Sequence, residues 1–143
     1  MFLGEISHSL DSKGRIVIPS KFREELGSNF VITKGIDKCL CAYPLSEWKV
    51  LQEKSKNLPV TLRGGRKFTR FLFSGATECE PDKQGRILLP QNLRDYAGIT
   101  DEIVSIGLNN RIEIWNKQSW TEYNDEENYI DEELAEKLFE FGI

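Results

Sequence analysis

Residues 11–19 read Asp11-Ser12-Lys13-Gly14-Arg15-Ile16-Val17-Ile18-Pro19, and residues 82–90 read Asp82-Lys83-Gln84-Gly85-Arg86-Ile87-Leu88-Leu89-Pro90. The offset is 71, and Asp, Gly, Arg, Ile and Pro recur in the same places. A pattern of this length occurring twice calls for a fold built from two similar halves. Each copy has a local reading. An Asp that hydrogen-bonds its own backbone and a Gly free to take positive φ mark a tight turn. The β-branched run Arg15 to Ile18 predicts a short strand. Pro19 ends that strand and suits the start of a helix over Ser20 to Leu26, which Gly27 stops. The second copy follows suit through Arg94, Ala97 and Gly98. Each half thus places an Arg, Arg15 or Arg86, at a turn–strand junction.

The repeat extends outward from the motif. Residues 2–10 read as a strand, and Phe73 to Pro81 is its expected counterpart, with Phe2 over Phe73 and Gly4 over Gly75. His8, the one histidine, has no ligand or catalytic partner at a useful spacing and reads as a strand residue. Downstream, Phe30 to Thr33 and Cys39 to Tyr43 read as strands around the turn Gly35 to Asp37. Ile103 to Ile106 and Arg111 to Trp115 repeat them, with the offset now 72. Trp48 and Trp120 match as well. Four short strands cannot bury both faces alone, so the two halves are expected to pack as an internal pseudo-dimer. Tyr43, Trp48, Trp115 and Trp120 are read as core or helix-packing residues.

Ser46 to Lys56 reads as a helix, broken by Asn57-Leu58-Pro59. Thr61 to Phe71 reads as a second helix holding Arg63, Arg66, Lys67 and Arg70 with no acid. Its Gly64-Gly65 pair lacks the spacing of a phosphate loop, so subunit or phosphate-backbone contact is the better reading. Asn128 to Phe141 reads as an amphipathic helix whose stripe of Ile130, Leu134, Leu138 and Phe141 is expected to pack on the body or on another subunit. The division is residues 1–48 as the first half, 49–71 as a helical linker, 72–120 as the second half and 121–143 as an acidic tail.

Composition narrows the function. At 143 residues and 39% hydrophobic, the chain supports a modest core. It has no apolar run long enough to cross a bilayer and no signal-peptide pattern. Cys39, Cys41 and Cys79 are odd in number without a C-x-x-C pair. They read as reduced thiols of a cytoplasmic protein, with neither metal nor disulfide assigned. Residues 122–143 hold nine acids and one lysine, a net −8, so the overall −4 leaves +4 on the remaining residues. A mildly basic body with an acidic tail fits DNA binding and equally fits an ordinary domain with a solvated acidic helix. No nucleophile–base constellation or phosphate loop is present, so no catalytic residue, cofactor or small-molecule substrate is read, and the protein is read as a non-enzyme.

The doubled D-x-x-G-R-hydrophobic-x-hydrophobic-P motif resembles the AbrB-like swapped-hairpin DNA-binding domains. With Arg66 to Glu78 and Gly107 to Trp115 (G-L-N-N-R-I-E-I-W), the tandem form resembles the MraZ family of bacterial transcription regulators, from Phe2 to about Trp120. The resemblance implies a mainly β fold with short helices (α+β), two swapped-hairpin halves forming a barrel-like pseudo-dimer with flanking helices. It implies regulation of the division and cell wall gene cluster by binding double-stranded DNA at short direct repeats in the protein's own promoter. It further implies a ring-shaped homo-oligomer associated with the nucleoid. Arg suits bidentate contact with guanine O6 and N7 in the major groove, so Arg15 and Arg86 are the expected readers. Lys13, Lys83, Lys21, Arg23 and Arg94 are expected at phosphates. Asp11, Gly14, Asp82 and Gly85 are expected to build the turns and orient the arginines. From the residues alone, structural pairing of each Arg with its Asp stands level with DNA readout. An antitoxin-like role, with the tail binding a protein partner, is the alternative, although such modules normally carry one motif per chain.

Overall fold

The computed structural model describes residues 1–126 and 129–143. The first half supplies β1 (Phe2–Ser9), β2 (Arg15–Val17), α1 (Ser20–Leu26), β3 (Phe30–Lys34) and β4 (Leu40–Pro44). Two linking helices follow, α2 (Leu45–Lys56) and α3 (Arg63–Ser74). The second half supplies β5 (Thr77–Cys79), β6 (Arg86–Leu88), α4 (Gln91–Ala97), β7 (Glu102–Asn109) and β8 (Ile112–Asn116). The chain ends with α5 (Lys117–Glu126) and α6 (Glu132–Phe139).

Strand pairing shows why two halves are needed. Six strands form one sheet in the order β1-β7-β8-β4-β3-β5, while β2 and β6 form a separate antiparallel ribbon. Both edge strands are exchanged: β1 pairs with β7 of the second half, and β5 with β3 of the first. Swapping the halves, β1 for β5, β3 for β7 and β4 for β8, turns the sheet order onto itself. The fold therefore has a pseudo-two-fold axis between β4 and β8. In the ribbon the same axis falls on Ile16↔Ile87, flanked by Arg15↔Leu88 and Val17↔Arg86.

Among the described residues the ladder does not run round to a closed barrel, since β1 and β5 remain at its edges. The ribbon encloses the core instead. Ile18 N–H donates to the Gly85 carbonyl at 2.8 Å, and Leu89 N–H to that of Gly14 at 2.9 Å. Equivalent positions of the two motifs, Ile16 and Ile87, Ile18 and Leu89, Phe22 and Leu93, Leu26 and Ala97, are all buried in one cluster. Short helices with one buried face gain most of their stability from this packing. α1 begins at Pro19 and stops at Gly27, whose φ is 82°. Outside the core, Trp48 and Leu51 of α2 and Phe68 and Leu72 of α3 pack on Val31. At the equivalent place in the second half, Trp120 and Tyr123 of α5 pack on Trp115. The four aromatics Tyr43, Trp48, Trp115 and Trp120 thus pack helices onto the sheet, as read.

Two features differ from expectation. The strand expected over Phe73 to Pro81 shrinks to Thr77–Cys79, because α3 continues through Ser74. Leu72 is buried against Val31 and Trp48, and the Thr33 hydroxyl donates to the Leu72 carbonyl at 2.6 Å. That packing overrides the repeat. The last helix begins at Glu132 on the cap Asp131, whose side chain accepts from Leu134 N–H. Asn128, its expected start, lies outside the described residues; of its apolar stripe, Ile130, Leu134 and Phe141 are exposed and Leu138 is half-buried.

The β1–β7 exchange has a tight point at Gly107, opposite Gly4. A Cβ on Gly107 would lie 2.4 Å from the Leu3 nitrogen and 2.8 Å from its Cα. Gly107→Ala is expected to cost about 1–3 kcal/mol, in the range of overpacked sites. Urea denaturation measures the loss, and hydrogen exchange should show β1 amides opening before those of β3.

Candidate nucleic-acid interface

The period-2 alternation of the ribbon decides what it displays. Ile16 and Ile87 point inward and are buried. The outer face therefore carries the pairs Arg15↔Leu88 and Val17↔Arg86. Val17 is 41% exposed and Leu88 58%. Two guanidinium groups and two aliphatic side chains thus share a two-stranded surface, the size of element that a major groove admits.

Each Arg is fixed by the turn before it. Asp11 Oδ1 accepts from the backbone N–H groups of Lys13 at 2.8 Å and Arg15 at 2.9 Å. Its Oδ2 accepts from Arg15 Nε at 2.8 Å. Asp82 does the same for Gln84 N–H, Arg86 N–H and Arg86 Nε, at 2.9, 2.9 and 2.7 Å. Gly14 and Gly85 both have φ of 78°, and each closes its turn on the Asp carbonyl. The ion pairs expected from the sequence are therefore present, but they engage Nε. Among the described residues no hydrogen bond takes the terminal nitrogens of Arg15 or Arg86, so pairing with Asp and presentation to a ligand are compatible.

Arg23 and Arg94 acquire a role that their sequence positions do not show. Arg23 Nε donates to the Ile18 carbonyl at 2.7 Å, and its guanidinium lies over Gly85 of the other half, where a Cβ would stand 2.6 Å from Cζ. Arg94 Nε donates to the Leu89 carbonyl at 2.9 Å and its guanidinium lies over Gly14, where a Cβ would stand 2.9 Å from Cζ. Each turn is thus covered by an arginine from the opposite half, and glycine is needed there for both φ and space. Lys13 and Lys83 are exposed at the turn tips. Lys21 is held apart: its ammonium lies over Gly4 of the edge strand β1. Val17 and Leu88 were missed as display residues, although the alternation of the motif signals them. The basic run of α3, Arg63, Arg66, Lys67 and Arg70, is exposed on a separate helix.

The turns also set the protonation of their carboxylates. Both Asp11 and Asp82 titrate below the ordinary value of 3.8. The backbone N–H of the Arg four residues on is the largest cause; partial desolvation opposes it, and the guanidinium and a second N–H add to it. A folded value below the unfolded one means that the turns add stability above the ordinary carboxylate range and lose it as pH falls through the folded value. An NMR titration of the Asp carboxyls should give midpoints below 3.8 for both. In Arg15→Ala the Asp11 midpoint is expected to stay depressed, because the backbone donors remain. A return to the ordinary value would assign the effect to the guanidinium.

Two tandem matches to one family model cover residues 1–71 and 72–141; the family is described as "MraZ protein, putative antitoxin-like". The chain is 60% identical to a protein of Clostridium acetobutylicum, 58% to one of Clostridium tetani and 53% to one of Natranaerobius thermophilus. Each comparison spans all of both chains, and each relative bears the name transcriptional regulator MraZ. By the doubled motif and by likeness over its whole length, the chain belongs to the MraZ family.

Proposed function

We propose that this protein is a transcription regulator that binds double-stranded DNA by seating the β2–β6 ribbon in the major groove. The observation that carries the reading is the pair Arg15 and Arg86, held by Asp11 and Asp82 through Nε on the outer face of a rigid ribbon. The terminal nitrogens suit guanine O6 and N7, and Val17 and Leu88 suit thymine methyls. Lys13 and Lys83 flank the ribbon where phosphates would run, and Arg23 and Arg94 brace the turns while keeping charge near them. The relatives named as transcriptional regulators support the same reading.

The finer proposal is regulation of the division and cell wall gene cluster from the protein's own promoter, through short direct repeats, by a nucleoid-associated ring in the cytoplasm. No helix among the described residues is long and apolar enough to cross a membrane. A perfectly symmetric ribbon would read a site alike in both directions. Ser12-Lys13 against Lys83-Gln84, and Val17 against Leu88, break that symmetry and give the unit the direction that direct repeats require. A ring holding several units raises the effective concentration at successive boxes, so weak single contacts add up to firm binding. The words "antitoxin-like" in the family description favour a second reading, a protein partner bound in place of DNA. The second motif copy within one chain speaks against it.

Fluorescence anisotropy on the DNA upstream of the gene, with scrambled DNA as control, tests the proposal. Arg15→Ala and Arg86→Ala are each expected to lose about 1–3 kcal/mol per unit on specific DNA only, and affinity should fall as salt rises. Equal binding of both DNAs by parent and variants would make the arginines structural. No binding by the parent would move the search to a protein partner. Removing residues 127–143, which hold six acids and one lysine, spares the packed Trp120 and Tyr123. It is expected to raise affinity for scrambled DNA; a fall, or loss of the oligomer, would make the tail an assembly element.

A further inference from the structure

The far end of the pseudo-two-fold axis carries a side-chain cluster that the ribbon reading does not use. β4 and β8 meet there in the register Leu40↔Ile114, Cys41↔Glu113, Ala42↔Ile112. Leu40, Ala42, Ile112 and Ile114 face the core beneath the ribbon. Cys41 and Glu113, which occupy equivalent positions of the two halves, face the opposite side. Cys39, two residues before Cys41, joins them on that face. One ligand atom from each of Cys39, Cys41 and Glu113 lies within 4.8 Å of the others. Sequence spacing could not reveal this set, because Glu113 comes from the other half.

We propose that Cys39, Cys41 and Glu113 form a binding site for a thiophilic divalent cation of the zinc class. Thiolate pairs select zinc over magnesium or calcium, and a carboxylate is an ordinary third zinc ligand. Gly35 lets both thiols come close to the backbone and to each other, since a Cβ there would stand 2.7 Å from Cys39 Sγ and 3.0 Å from Cys41 Sγ. The carboxylate is already oriented, since Trp115 Nε1 donates to Glu113 Oε1 at 3.0 Å, the kind of outer partner that metal ligands use. Cys41 and Glu113 also line a cavity of about 360 Å³ with Lys34, Asp37, Tyr43 and Arg111. A fourth position is therefore open to water or a small anion. On binding, two S–H bonds break, two metal–sulfur bonds form and two protons leave to solvent. Two thiolates and one carboxylate exceed the charge of the ion by one, and Arg111 on the same wall offsets it. The ion would tie β4 of one half to β8 of the other.

Reduced full-length protein titrated with Co²⁺ provides the test. One equivalent is expected to give a thiolate-to-cobalt charge-transfer band and the visible bands of a four-coordinate ion, both displaced by Zn²⁺. Cys39→Ser and Cys41→Ser should each lower the charge-transfer band and weaken binding, the double variant should abolish the band, and Cys79→Ser should leave it unchanged. Glu113→Gln should weaken binding by at least the roughly 10-fold that loss of an outer-sphere partner costs. Absence of the band in the parent, or an undiminished band in Cys41→Ser, would overturn the proposal. Because a buried Ser endangers folding, X-ray absorption on the zinc-loaded parent is the second measurement. Two sulfur neighbours at about 2.3 Å are expected; a shell without sulfur would overturn the assignment independently of any variant.

Discussion

The pairing of β2 with β6 is the contact on which the rest of this fold depends. Three residues on each side form a ribbon too short to stand alone, since even a longer isolated hairpin is marginal in water. It persists because Ile16 and Ile87 bury their side chains on the pseudo-two-fold axis, and Ile18 and Leu89 extend that burial on either side. The same pairing puts Arg15 and Arg86 on one outward face. Core formation and display of the two guanidinium groups are therefore consequences of one register. A slip by one residue would reverse both.

Reciprocity then fixes the parts that the ribbon cannot hold. Each motif turn is closed by its own Asp and covered by an arginine from the other half, Arg94 over Gly14 and Arg23 over Gly85. The exchanged edge strands β1 and β5 tie the halves again at both ends of the sheet. A half-chain would lose its ribbon partner, the cover on its turn and three sheet pairings, β1–β7, β3–β5 and β4–β8, together. That is the physical content of calling the chain an internal pseudo-dimer.

Much of this was legible in the sequence because it is local. The Asp and Gly of each turn, the bounds Ser20–Leu26 of α1 and the stop at Gly27 follow from residue chemistry within a few positions. The doubling, and hence the pseudo-dimer, follows from the offset alone. What stayed hidden depends on contacts between halves. Arg23 and Arg94 look like free phosphate contacts until Gly85 and Gly14 are seen beneath them. Phe73 and Ser74 look like strand by analogy with Phe2 and Leu3, but the seat of Leu72 between Val31 and Trp48 keeps them helical. Cys39 and Cys41 look like an unpartnered pair because their third companion, Glu113, is contributed by a strand of the other half.

The two ends of the pseudo-two-fold axis treat symmetry differently. At the ribbon, the repeat keeps Asp, Gly, Arg and Ile identical in both copies, and the axis passes between strands that differ only by Val17 against Leu88. At the β4–β8 seam, the positions that face away from the core have diverged: Cys41 stands opposite Glu113, and Cys39 corresponds to Arg111. The inward positions there, Leu40, Ala42, Ile112 and Ile114, stay apolar in both copies because the shared core requires it. A requirement for packing alone would leave both outward faces equally free to diverge. Instead one outward face keeps two matched arginines and the other holds a thiol pair with a carboxylate. The ribbon thus sets two like arginines on one outward face, and the seam sets unlike side chains of two strands against each other on the other.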